Sequence, residues 1–412
     1  QSNPNQCYQP SQANSLDVRV VPTPQAAISV TPSNITLTTD SGNSATVTVT
    51  NNGVVDAYNV STTLATPNHG VMVNSTTCGS VLGYSPPNNT CTITFEMGAG
   101  GSAGTTNATI KGDNSNVSSV AISVVSPVAP VLSINSPAQP DRVIPVNNGS
   151  LDIVVVSSNP LATSNTDITA SLPSAWVSSV TASYTDCTDV VPGGSCTIHL
   201  QATSPFVADE ITINGTNGAS PLTTYVAFRA GGGLVFSVNG GVTKVVTEAN
   251  ISSGIIWGGY GYEVGGINQN STVSGGDPCD GKNDGGCNTT RIINCLTNQD
   301  NCVNTPSSSI DIATYAAGIC DQYNGGTFND WYLPAICEWS NSGNSCSIDN
   351  IYTNLRQHGF GGIVVGAYWS STEVSTLPQD FAWYQLFAAS GNSFQGGSTK
   401  SSQPGVRCVR GF

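Results

Sequence analysis

Between Gly275 and Cys287 the chain reads GGDPCDGKNDGGC, which sets Asp277, Asp280, Asn283 and Asp284 among flexible glycines. Hard oxygen donors on a pliable loop are what a calcium ion takes. The segment is no EF-hand, because counting from Asp280 puts Lys282 and Arg291 where ligands belong. The competing reading is an acidic turn closed by a Cys279–Cys287 disulfide. A second group is aromatic: WGGYGY carries Trp257, Tyr260 and Tyr262, and Trp383 and Tyr384 stand side by side further on. Rings left uncovered by glycine can stack on pyranose faces while Asn, Asp and Gln bond the hydroxyls. These five residues are therefore candidate glycan contacts, with a packed strand pair as the alternative.

Catalytic groupings are scarce. His69, His199 and His358 fall in three different regions, which argues against a shared zinc site. No Gly-x-Ser-x-Gly elbow sits between a strand and a helix. The chain is expected not to be an enzyme and to carry no cofactor other than the calcium the acidic loop would accept.

Composition narrows the partners. Charged residues are 9% of the 412 and the formal net charge is −14. Phosphate binding needs clustered Lys and Arg, so nucleic acid is excluded as a partner. Thirteen cysteines, most in local pairs, point to an oxidising, extracellular compartment. No apolar run approaches the ~20 residues of a membrane span. The start at Gln1 is expected to be that of a mature chain after signal removal.

The elements that must position these residues are mostly strands. Two similar units run over 26–126 and 127–230. In the first, Cys78 and Cys91 flank a loop ending in NNTCTITF; in the second, Cys187 and Cys196 flank one ending in GGSCTIHL. Each second cysteine opens a strand of period two: Cys91, Ile93, Phe95 and Cys196, Ile198, Leu200. Ala45–Thr50, Val120–Val124 and Leu151–Val156 alternate in the same way. Short strands at such spacing predict β-sandwiches, and the Cys…Cys-Thr-Ile pattern resembles bacterial immunoglobulin-like surface modules. The four cysteines are read as structural disulfides.

Gly231–Gly233 marks the expected boundary to a third domain over 231–412. Strands are predicted at Leu234–Val238 and Lys244–Thr247. One helix is predicted over Ile310–Tyr323, behind a Ser308/Asp311 capping box. Another is predicted after Ser347, burying Ile348, Ile351, Tyr352 and Leu355 and ending at Gly359. Ahead of the first sandwich, residues 1–25 form a polar tail whose Leu16, Val18 and Val20 alternate like a detached strand. Such a strand can complete a sheet edge on another copy of the chain. Cys7 in that tail is the odd cysteine, either free or bonded between chains.

Three blocks near the C-terminus carry a family resemblance: DWYLP at Asp330–Pro334, YWSSTE at Tyr368–Glu373 and VRCVR at Val406–Arg410. Together they resemble the C-terminal domain of secreted bacterial collagen-like adhesins, the Lcl type, over residues 231–412. That resemblance implies a C-type-lectin-like fold and binding of sugars and glycosaminoglycans at cell surfaces. It also implies that Trp331, Leu333, Trp369 and Val409 are core, and that Asp330, Glu338 and Arg407 are buried polar links. In such a fold Cys408 is tied back to the helical half, with Cys320 as the candidate partner among the many connectivities that eight cysteines permit. Three departures limit the carry-over. There is no Gly-X-Y repeat. The Glu-Pro-Asn and Gln-Pro-Asp signatures of calcium-dependent lectins are absent. Residues 231–412 hold seven basic against thirteen acidic residues, which disfavours sulfated polymers.

The expected molecule is mostly β, with two immunoglobulin-like β-sandwiches followed by an α+β C-type-lectin-like domain. The expected role is that of a secreted adhesive protein, the subunit of a self-assembling filament that displays a lectin-like domain to glycans or a host surface. The alternative is a monomeric secreted protein that binds a glycan or a host protein.

Overall fold

The computed structural model describes residues 24–159, 165–325, 328–340, 344–389 and 391–412, in two compact units, 1–128 and 129–412. Cys7, Leu16, Val18 and Val20 lie outside the described residues. The class is mostly β.

The first unit contains β1 (Ile28–Thr31), β2 (Asn34–Thr38), β3 (Ser44–Asn51), β4 (Ala57–Tyr58), β5 (Ser61–Leu64), β6 (Val71–Thr76), β7 (Val81–Leu82), β8 (Thr90–Met97), β9 (Gly104–Lys111) and β10 (Ser118–Val125). They make two four-stranded sheets, β1-β3-β8-β6 and β2-β10-β9-β5, with β4 paired to β7. β2 runs parallel to β10, whereas β8 sits antiparallel between β3 and β6. Cys91, Ile93, Phe95 and Met97 of β8 point inward against Val47 and Val49 of β3. That inward face is the period-two alternation of the sequence, since one side of each sheet meets the core and the other meets water.

The second unit begins with the same plan: β11 (Leu132–Ser136), β12 (Val143–Pro145), β13 (Leu151–Ser157), β14 (Ile168–Ser171), β15 (Val180–Thr185), β16 (Ser195–Ala202), β17 (Asp209–Gly215) and β18 (Leu222–Ala230). One sheet is β11-β13-β16-β15. The other continues past the repeat. It runs β14-β17-β18 and then through β19 (Gly233–Asn239) and β20 (Val242–Val246) to the C-terminal β24 (Val409–Gly411), with β12 parallel to β18. Gly231 and Gly232, at φ +52° and +87°, form the turn from β18 into β19, a left-handed conformation in which glycine carries no Cβ penalty. Residues 129–412 are one compact unit, in which β18 pairs directly with β19 through Arg229–Leu234 and Ala230–Gly233. Gln139 donates to the His358 carbonyl at 3.2 Å, and the Tyr225 ring stacks on His358 at 3.7 Å.

The remaining elements are α1 (Gly285–Leu296), α2 (Ala316–Asp321), α3 (Ile336–Trp339), α4 (Ile351–Asn354), β21 (Gly366–Glu373), β22 (Phe381–Phe387) and β23 (Ser393–Thr399), the last three forming an antiparallel sheet. The predicted helix over Ile310–Tyr323 is broken. Asp311 caps a single 3-10 turn at Ile312–Thr314, Tyr315 is extended, and α2 starts at Ala316. Burial of the Tyr315 ring, whose hydroxyl meets Thr297 Oγ1 at 2.8 Å, interrupts the helix. The second predicted helix is the short α4, capped by Asn350, plus a 3-10 turn that ends at Gly359 in the left-handed conformation. α1 was not anticipated. Asp284 caps it, and Asn288, Ile292, Cys295 and Leu296 make its buried face.

Six disulfides join described residues: Cys78–Cys91, Cys187–Cys196, Cys279–Cys287, Cys295–Cys302, Cys320–Cys408 and Cys337–Cys346. Five close loops of 7 to 13 residues; Cys320–Cys408 spans 88. Trp331, Leu333, Trp369 and Val409 are core residues. Glu338 is buried and accepts from Lys244, Tyr332 and the Ala335 amide. Arg407 is also buried, but it donates to Asn250 and to the carbonyls of Thr247, Gly361 and Gly362 rather than to a carboxylate. Asp330 is half-exposed and pairs with Arg410.

Candidate functional site

The Gly-rich WGGYGY stretch is held from beneath by a buried charge pair. Lys400, just past the end of β23, and Glu373 at the end of β21 are both essentially inaccessible, with Nζ 2.5 Å from Oε1. Lys400 also donates to the Tyr262 carbonyl at 2.7 Å and lies 4.4 Å from the centre of the Trp257 ring. Glu373 Oε1 accepts from the Val264 amide, whereas Oε2 has no donor. Burial, only partly offset by Lys400, pushes the Glu373 carboxyl up to about 7. Burial likewise holds the Lys400 ammonium below its ordinary value, against the opposing pull of Glu373.

Trp257 corrects the expectation of five open rings. Its indole is fully buried and donates to the Ser370 carbonyl at 2.8 Å. Gly258 and Gly259 are there for close approach, not to uncover the ring. A Cβ on Gly258 would stand 2.7 Å from Tyr315 Cβ, and one on Gly259 would stand 2.5 Å from Leu296 Cδ2. Tyr384 packs against the core with its ring on Gly396, which is the packed-strand alternative.

The other three aromatics border one turn, residues 374–380. At one end Ser375 and the Trp383 indole both donate to Gln269 Oε1, at 2.7 and 3.0 Å, and Asn270 donates to Ser375 Oγ at 3.0 Å. At the other end the Gly261 amide donates to the Gln379 carbonyl at 2.9 Å, which sets exposed Tyr260 and partly buried Tyr262 beside the turn. Trp383 is partly buried, and glycine occupies the cross-strand position opposite it, Gly397. The result is a surface of open rings and carboxamides beside a partly exposed carboxylate, Asp380, suited to stacking and hydroxyl bonding and unfavourable to anionic groups. Gln269 and Asn270, absent from the sequence expectation, were detectable only by their long-range pairing with Ser375.

The acidic loop is arranged differently from four converging ligands. Asp284 Oδ1 accepts from the Cys287 amide and is engaged as the cap of α1. Asn283 donates to Asp280 Oδ2 at 2.9 Å, and Asp277 is partly buried next to Pro278. Among the described residues no group of three or more His, Cys, Asp or Glu side chains converges.

The histidines do not meet. His358 stacks on Tyr225, and His69 contacts Ser102 Oγ at 3.3 Å. His199 links Asp152, at 2.8 Å, to Thr185, at 2.9 Å, across three strands of an exposed sheet face. Hydrogen bonds from His199 and Ser150 hold the Asp152 carboxyl below its ordinary range.

No family model matches the chain, and no curated protein matches it. Among solved structures it is similar to domains 5–6 of the S-layer protein SbsC, at 17% identity and TM-score 0.21, over 51% of this chain and 100% of that one. It is similar to the Escherichia coli adhesin FdeC at 17% identity and TM-score 0.23, over 56% of this chain and 69% of that one. The Yersinia pseudotuberculosis adhesin InvE is 12% identical with TM-score 0.22, over 93% of this chain and 96% of that one.

Proposed function

We propose that this chain is an extracellular, non-enzymatic adhesive protein that binds uncharged glycans through the surface around residues 374–380. The observation that carries the reading is the grouping of exposed Tyr260 and the partly buried Trp383 with Gln269 and Asn270 over a rigid, buried frame. Six disulfides support an oxidising, extracellular setting. Screening the full chain on a glycan array tests it. Tyr260→Ala and Trp383→Ala are each expected to weaken binding by about tenfold, the equivalent of ~1.4 kcal/mol. Tyr260→Ala should leave the melting temperature unchanged. An array without binders, or binders indifferent to both substitutions, would remove the reading.

Self-assembly adds a second element. Strand β6 is an outer edge of its sheet and presents exposed Met72 and Val73. Each sandwich already carries its own parallel strand, β2 on β10 and β12 on β18, so a donated strand would add at an outer edge rather than fill a vacancy. The tail strand Leu16–Val20 is the donor in this reading. Electron microscopy of the chain with and without residues 1–25 should give filaments only with the tail. Filaments from the shortened chain, or none from the intact one, would defeat it.

A further inference from the structure

The geometry points to a calcium-binding site around Asp280 and Gly281, built from one carboxylate, two buried carboxamide oxygens and a hydroxyl. Ser271 directly follows Asn270 of the glycan surface, but none of the proposed calcium donors belongs to that surface, and the calcium test does not depend on the glycan reading. Gly281 lies where no side chain fits, since a Cβ there would come within 2.1 Å of the Asn268 carbonyl oxygen. Its N–H donates to the Ser271 carbonyl at 3.1 Å. Its own carbonyl accepts from Asn288 Nδ2 at 2.7 Å and Thr372 Oγ1 at 2.8 Å. Ser271, Asn288 and the loop from Asp280 to Asn283 are thereby gathered about one residue.

Around Gly281 the structure leaves oxygens without donors. Among the described residues nine buried side-chain polar atoms have no partner, and four of them are Ser271 Oγ, Asp280 Oδ1, Asn283 Oδ1 and Asn288 Oδ1. Buried acceptors are normally satisfied, so four within eighteen residues of sequence call for a ligand. The amide orientations are fixed by their partners. Asn283 Nδ2 donates to Asp280 Oδ2 and Asn288 Nδ2 to the Gly281 carbonyl, so reversing either amide would set oxygen against oxygen. Asn288 is completely buried, and Ser271 is 2% exposed.

Oxygen donors without nitrogen or sulfur select a hard cation, and neutral amide oxygens on an irregular loop suit calcium better than the rigid, water-rich octahedron of magnesium. A single carboxylate places the affinity in the weak range of extracellular modules, about 0.1–1 mM. The donor set revises the one legible in the sequence. Asp280 and Asn283 remain, Ser271 and Asn288 join, Asp284 is engaged in capping α1, and Asp277 is not a member.

Calorimetric titration of the full chain, stripped with EDTA, with calcium chloride tests this, against magnesium chloride and sodium chloride at matched ionic strength. Saturable calcium binding half-complete at about 0.1–1 mM is expected, with a parallel rise in melting temperature and a weaker magnesium response. Asp280→Asn and, separately, Asn283→Ala should weaken binding tenfold or more, while Asp277→Asn should leave it unchanged. No saturable calcium heat in the native chain would overturn the site and leave ordered water as the partner of these oxygens. Equal binding by a folded Asp280→Asn chain, its near-ultraviolet circular dichroism intact, would overturn it as well.

Discussion

Replacing Lys400 with methionine is expected to destabilise residues 129–412 by about 3–5 kcal/mol under alkaline conditions, where the Glu373 carboxylate is left buried without its cation, and by less at neutral pH, where the unpaired carboxyl takes up a proton. All six tryptophans fall in this unit, so tryptophan fluorescence during denaturation reads it alone. Glu373→Gln together with Lys400→Met should recover much of the loss, since the double replacement removes both charges at similar volume. The same carboxyl gives the unit a pH signature. Its folded pKa is raised to about 7, so its contribution to stability is fully present below the unfolded value near 4.5 and is lost as pH rises through about 7. Stability should therefore fall between pH 4.5 and 7, by at most about 1.4 kcal/mol per pH unit for one proton. Glu373→Gln should flatten that slope. A native chain whose stability does not change over this interval, or a Glu373→Gln chain with an undiminished slope, would refute the account.

Removing the Cys320–Cys408 bridge by paired alanine substitutions is the second large effect. Its loop of 88 residues corresponds to about 4.6 kcal/mol of chain entropy in the unfolded state. The 9-residue loop of Cys187–Cys196 corresponds to about 2.6 kcal/mol. Both bridges lie in the same unit, so one fluorescence experiment ranks them. The long bridge also fastens the segment leading into β24 to α2, and both of its cysteines are fully buried. Equal or reversed losses for the two pairs would show that the chain-entropy account fails here.

The sandwiches were legible because their strands meet the core on one face only. Cys91, Ile93 and Phe95, like Cys196, Ile198 and Leu200, write that geometry into the sequence at period two. The C-terminal region was less legible, for local reasons. Gly285 and Gly286 occupy the first turn of α1, where poor helix formers hid the helix behind an acidic loop. At Tyr315 the reverse happened, since a helical pattern was overridden by burial of one ring. The candidate surface was half visible. Tyr260 and Trp383 were nameable from composition and spacing, whereas the burial of Trp257 depends on Tyr315 and Leu296 pressing on Gly258 and Gly259 from elsewhere in the chain. The orphaned oxygens of Ser271 and Asn288 depend on contacts that only the folded loop creates.

The turn at Gly231–Gly232 joins two strands of one sheet. Within residues 129–412 no linker therefore separates the second sandwich from the part of the chain that carries the 374–380 surface. A binder on a stiff mount loses little orientational freedom when it engages. When many copies face one target, each additional weak contact adds almost its full strength to the avidity of the whole.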